Sequence, residues 1–235
     1  MKTILTATLL LTAIVPFSAT AQVSPYAGTQ PHIQFTVPVQ DAGAMFFDGT
    51  YMWVCSASNI VAVSTSGTVV SEKALGGTLV NLSLDESYNM WVTSTNPSQL
   101  QYFNVQAAIS TGNAPVTTIP LNIPPTGPMV LDQSQQQVWI ASGDSAVVVS
   151  MGAPHGIIRT VTTPNSDSII KIGSVAAIGI LIKTEDGTYF AYNTTEGDFF
   201  DITGAMSQVD AAGLSWFSSP SLGTVTAVQW VVPAN

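Results

Sequence analysis

One pattern recurs along this chain and limits its fold more than any other feature: an apolar segment, an aspartate, a polar turn, then a tryptophan beside a β-branched residue. The clear copies are MFFDGTYMWVCSASNIVAVSTSGTVVSEKAL (45–75), LSLDESYNMWVTSTNPSQLQYFNV (82–105) and MVLDQSQQQVWIASGDSAVVVSM (129–151). Asp48, Asp85 and Asp132 open the turns, and Trp53, Trp91 and Trp139 follow them. Two degraded copies come later. Residues 175–203 carry Ile180-Leu181-Ile182 at the tryptophan position, and residues 206–232 carry Trp216-Phe217 there. Landmarks at 53, 91, 139, 181 and 216 give intervals of 38, 48, 42 and 35 residues.

The apolar runs within each unit are short, β-branched or aromatic, and bounded by Gly, Pro, Asn, Asp or Ser, which are strand and turn signals. Only YFNVQAAIST (102–111) reads equally as helix or strand. A unit of about 40 residues with four short strands has the size of a propeller blade. Such a twisted sheet cannot bury both faces alone, whereas sheets stacked around an axis bury each other. The expectation is an all-β fold, a β-propeller of five blades of about four antiparallel strands. The last unit ends after three strands at Trp230-Val231-Val232, and IQFTVPV (33–39) is an orphan strand near the other end. Pairing that N-terminal strand into the last blade closes the ring. An immunoglobulin-like array of sandwiches is the competing reading.

The segment FDGTYMWVCSASNIVAVSTSGTVV resembles the blade pattern of bacterial NHL/YVTN-type propellers, as do LDESYNMWVTS and LDQSQQQVWIAS. The resemblance covers 33–151 well and 175–235 poorly. It implies extracytoplasmic binding proteins, surface or matrix components, and a minority of lyases and lactonases.

The chain opens with Met1-Lys2, an uncharged apolar stretch over 4–17, and Ala19-Thr20-Ala21. Those are the three parts of a secretory signal. The apolar stretch falls short of the roughly 20 residues a membrane-spanning helix needs. Residues 1–21 are therefore expected to be a cleaved signal, 22–32 an extension and 33–235 the propeller. The mature protein is expected to be secreted, periplasmic or on the cell surface, with no stable membrane insertion after cleavage.

Charged residues make up 8% of the chain and hydrophobic residues 46%. The net charge is −9, and losing Lys2 leaves only Lys73, Arg159, Lys171 and Lys183 as bases. Such a chain lacks the electrostatic footprint for nucleic acid or anionic lipid. The single cysteine, Cys55, excludes an intrachain disulfide and reads as an inert core thiol.

Chemistry is sparse. No G-x-S-x-G elbow occurs, and Gly143-Asp144-Ser145 reads as a hairpin turn. His32 and His155 lie far apart and, with one cysteine, give no zinc signature. No cofactor is implied. Among cations, calcium would suit the late acids Glu185, Asp186, Glu196, Asp198, Asp201 and Asp210, although a solvated acidic face explains them more simply. Asn81-Leu82-Ser83 and Asn193-Thr194-Thr195 are glycosylation sequons. Asp48, Asp85 and Asp132 sit where aspartate bonds its own turn. Trp53, Trp91 and Trp139 recur as inter-blade packing would place them. The same six residues, once per blade, are the candidate ligand contacts, as funnel carboxylates or sugar platforms.

The reading that follows is an exported non-catalytic β-propeller, a binding or surface-assembly module with a protein or glycan partner at its loop face. The alternatives are a propeller lyase or glycosidase using funnel carboxylates, and a structural subunit of a surface or virion assembly.

Overall fold

A computed structural model describes residues 36–175, 179–194, 197–202, 206–209, 214–219 and 224–229, the last three segments as backbone. The expected signal, the extension at 22–32, His32 and Ile33–Phe35 of the expected closing strand lie outside the described residues; the rest of that expected strand, 36–39, is irregular chain that joins no sheet, with Pro38 lacking the N–H a ladder needs. So do Glu196, Asp210 and Trp230–Val232.

The described strands form separate antiparallel sheets, each ordered as in the chain. The first sheet is β1 (Ala42–Phe47), β2 (Tyr51–Ser56), β3 (Asn59–Ser64) and β4 (Val69–Ala74). The second is β5 (Thr78–Leu84), β6 (Asn89–Thr95), β7 (Gln99–Asn104) and β8 (Thr117–Pro120), with helix α1 (Val105–Thr111) between its last two strands. The third is β9 (Met129–Asp132), β10 (Gln137–Ser142), β11 (Ser145–Ser150) and β12 (Ile157–Thr162). The fourth is β13 (Ile169–Val175), β14 (Gly179–Thr184), β15 (Tyr189–Asn193) and β16 (Asp198–Asp201). A three-stranded sheet follows, of β17 (Met206–Val209), β18 (Leu214–Ser219) and β19 (Thr224–Gln229).

The tryptophan strands β2, β6 and β10 are thus the second strands of three different sheets, not neighbours in one layer. That removes the sandwich reading. The fourth unit begins at Ile169, earlier than the repeat alone indicates, because its first strand carries no Asp–Trp landmark.

Alternation along the strands gives the first four sheets two apolar faces. Trp53, Cys55, Ile60 and Ala62 of the first sheet pack on Leu79, Leu82, Met90, Val92 and Phe103 of the second. The opposite face of the second sheet, with Trp91 and Leu100, meets Leu131, Val138, Ile140 and Val149 of the third. Trp139, Ala141 and Val148 of the third meet Ile172, Ile180, Ile182 and Tyr192 of the fourth. First strands lie beside one another: β1 with β5, β5 with β9, and β9 with β13. Sheets stacked face to face with their first strands adjacent are arranged as successive radial blades.

The two ends of the stack differ. One carries the Asp turns and the β3–β4 type turns, and is called here the Asp end. The other carries the second-to-third-strand turns and the connections between sheets, and is called the crossover end. Backbone bonds stitch neighbouring sheets at the crossover end: Leu79 N–H donates to the Ala57 carbonyl, and Ile169 N–H to the Gly143 carbonyl.

Residues 102–111 divide between the two readings. The strand runs to Asn104, whose side chain then caps the helix by accepting from Ala107 N–H at 3.0 Å. Three of the exposed apolar side chains, Val70, Ile158 and Ile170, lie where the strand register shifts. On the outer strands β4 and β12 such irregularities break the regular edge that a foreign strand would pair with.

Candidate functional site

The repeated aspartates work inside their own turns. In the first sheet, Asp48 accepts from Thr50 N–H and Tyr51 N–H, and its second oxygen accepts from the Trp53 indole at 2.7 Å. In the second, Asp85 accepts from Ser87 N–H and Asn89 N–H, and also from the Asn89 amide and the Trp91 indole at 2.8 Å. The third copy departs from this scheme. Asp132 accepts from Ser134 Oγ and Gln135 N–H, while the Trp139 indole donates to Gln137 Oε1 at 3.1 Å. Trp follows Asp at an offset of five residues in the first copy, six in the second and seven in the third. With the longest turn a glutamine two residues from the tryptophan supplies the acceptor. All three rings lie between sheets, at most 2% exposed. Burying a ring of this size is worth about 3–5 kcal/mol against alanine, and its N–H needs a partner there.

Polar groups collect at the rims of the seams between sheets. Tyr102 stacks on Trp91 with centroids 4.4 Å apart, and its hydroxyl lies 2.8 Å from His155 Nε2. His155 Nδ1 faces the Ser150 carbonyl at 3.4 Å, which can only accept. Nδ1 is therefore the donor toward that carbonyl. Arg159 lies over both Trp139 and Tyr192, at 5.8 and 5.5 Å, and Lys73 lies over Phe103 at 5.9 Å. Gln101, facing the first sheet, donates to the Leu75 carbonyl at 2.9 Å.

At the crossover end the sheets are joined by irregular chain, notably 121–128 and 163–168. Asp186 accepts from Thr188 N–H, Thr184 Oγ1 and the Asn165 amide, and its own N–H donates to Asp167. The Thr188 backbone bond and the Thr184 hydroxyl bond hold its carboxyl well below the ordinary range, at about 2. Gly143-Asp144 forms the two-residue turn of the β10–β11 hairpin, in which Ser142 pairs with Ser145. Burial pushes the Cys55 thiol up to about 12. Among the described residues, no three or more His, Cys, Asp or Glu side chains group as a metal site would require. No described helix is long and apolar enough to cross a membrane.

The structure thus joins Asp48 to Trp53 and Asp85 to Trp91, and separates Asp132 from Trp139. Sequence reading did not find the Tyr102–His155 contact, because the partners are 53 residues apart and belong to different sheets. It also passed over Asn165, whose amide joins two crossover-end segments through Thr184 and Asp186.

No protein-family model matches this sequence, and no curated protein matches it. Solved structures do resemble it. A streptogramin B lyase structure superposes with a TM-score of 0.59 at 14% identity, over 85% of this chain and 72% of that one. Virginiamycin B lyase from Staphylococcus aureus gives 0.58 at 12% identity, over 81% and 70%. Dihydro-heme d1 dehydrogenase NirN gives 0.56 at 13%, over 75% of this chain and 40% of that one. At such identities the likeness is one of fold alone: this chain has an all-β, β-propeller-like fold.

Proposed function

We propose that the protein is an exported, five-bladed, closed β-propeller that serves as a binding or surface-assembly module, taking a protein or glycan partner at its crossover end. The observation that carries the binding reading is the division of labour between the two ends. At the Asp end, each Asp turn spends its carboxylate on its own backbone and hydroxyl or indole groups. At the crossover end, Asn122, Pro124, Thr126, Pro164, Asn165 and Ser166 stand exposed on the connections between sheets, 121–128 and 163–168. Connections carried on a rigid scaffold are where recognition residues usually reside.

Packing of the segment before β1, rather than strand pairing, supports ring closure. Val37 and Val39 are buried on the first sheet against Val54, Val61 and Val63, beside Met45 and Met52. That face is the one turned away from the second sheet. Leu75, three residues before β5, covers the matching face of the second sheet, and Val39 stands three residues before β1. Val37 and Val39 therefore take the place that the end of a preceding blade's outer strand would fill. The three-stranded last sheet lacks such a strand among its described residues.

The test is a glycan array together with pull-down from the native envelope, run with the wild type and with Asn122→Arg and Ser166→Arg. The expected result is selective binding that both variants lose and that Gln135→Arg, at the Asp end, keeps. Turnover of a polysaccharide by the wild type would replace this reading with the lyase or glycosidase one.

A further inference from the structure

The seams between sheets obey a rule that the fourth sheet breaks. Two residues after each tryptophan, on the same face, stands a small buried residue: Cys55, Thr93 and Ala141. Opposite them stand Gly43 and Asn81 on the first strands and Gly127 two residues before β9. Asn81 pairs directly with Thr93, and a Cβ added to Gly127 would come within 3.1 Å of the Ala141 Cβ. In the third sheet the row is small because the fourth closes on it: that Cβ would also lie 3.3 Å from the Ile169 carbonyl oxygen. At the matching place in the fourth sheet, two residues after Leu181, stands Lys183, and its cross-strand partner is Lys171. The register shift between Ile169 and Lys171 matches that between Leu79 and Asn81, so the two rows are equivalent.

Directly opposed residues on antiparallel strands share a face, with Cβ atoms about 4.5–5.5 Å apart, and like charges there repel. Ile180 and Ile182 point to the third sheet, so alternation puts Leu181 and Lys183 on the other face. Leu181 is fully buried there, while both lysines are half-buried. Lys183 Nζ lies 5.1 Å from the Tyr189 ring centroid. Among the described residues neither ammonium is paired with a carboxylate. In a chain with 14 acids and five Lys or Arg, setting two cations against each other with no carboxylate partner among the described residues is a costly placement.

We infer that Lys171 and Lys183 form a binding site for a single oxyanion group, the carboxylate or phosphate of a small ligand, on the face of the fourth sheet turned away from the third. Lysines at directly opposed positions can bring both ammonium groups to one shared oxyanion. The net charge of −9 disfavours a long polyanion, whose remaining charges would meet an acidic surface. The site does not depend on the glycan or protein partner proposed above, nor on closure of the ring.

The chain after residue 21 contains three lysines, so lysine-labelled protein gives three side-chain NMR signals. Inorganic phosphate and acetate are titrated separately at constant ionic strength. The Lys171 and Lys183 signals move saturably, Lys73 does not, and Lys183→Met abolishes the Lys171 response. Response to phosphate alone assigns the site to phosphate ligands; response to both assigns it to oxyanions in general. Without added anion, Lys171→Met and Lys183→Met each melt roughly 1–2 °C above the wild type, since each removes the repulsion. Saturating phosphate or acetate, whichever binds, closes that gap by stabilising the wild type alone. Equal, unsaturable movement of all three lysines, or a Lys171 response that survives in Lys183→Met, would overturn the assignment.

Discussion

Asp85→Ala separates the turn role of the repeated aspartate from its role under the tryptophan. The substitution removes the acceptor of the Trp91 indole N–H, which stays buried at 2% exposure. Leaving such a donor unsatisfied costs about 1–3 kcal/mol. It also removes the bonds to Ser87 N–H and Asn89 N–H. By analogy with a lost helix cap, that costs about 1 kcal/mol more. The sum is about 2–4 kcal/mol, or a fall in melting temperature of roughly 5–12 °C for a domain of this size. Asp132→Ala is the matched control, because the Trp139 indole keeps Gln137 as its acceptor. It should lose about 1 kcal/mol, the turn contribution only. Urea unfolding followed by tryptophan fluorescence, with equal m-values, reads the difference. Equal losses in the two variants, or an Asp85→Ala loss within about 0.5 kcal/mol of zero, the usual scatter for surface changes, would refute the reasoning.

Gly77→Ala should destabilise by more than about 2 kcal/mol and Gly76→Ala by about 1 kcal/mol, measured by the same unfolding curves. Both have positive φ, but only at Gly77 would a Cβ meet backbone, the Thr95 carbonyl oxygen at 2.8 Å. Asp186 has a depressed carboxyl, so its contribution is present above the ordinary value of 3.8 and is lost as the pH falls through about 2. Carboxyl NMR should give a midpoint near 2, and Asp186→Asn should flatten the acid limb of stability between those values; an unshifted midpoint would remove the Thr184–Asn165–Thr188 network as its cause. Cys55 should resist thiol reagents at pH 8 in the native protein and react fully in urea, because burial holds its thiol near 12; rapid labelling of native protein would show the first seam to be open.

The tryptophan strands were legible because burial on both faces demands a continuous apolar run, and VWIA or MWV announces one. The outer strands were less so. Thr117–Pro120 reads TTIP and packs through Ile119 alone. Ile157–Thr162 reads IIRTVT and holds no fully buried residue. The strand Ile169–Val175 was hidden for another reason. Lys171 and Gly173 interrupt its apolar pattern, and no aspartate punctuates its end as Asp132 does for β9. The turn chemistry of Asp48 and Asp85 follows from local spacing, so the sequence carries it. Contacts that depend on how sheets meet, such as Tyr102 with His155, depend on a stacking geometry that no local pattern encodes.

Hydrogen exchange by mass spectrometry, read on peptides covering residues 33–39, tests the central claim most directly. If these residues form the outer strand of the last sheet and close the ring, their amides are protected about as well as those of β5–β8, and deleting 206–235 strips that protection. Complete exchange of 33–39 within seconds in the intact protein would contradict a closed ring of sheets that bury each other's faces.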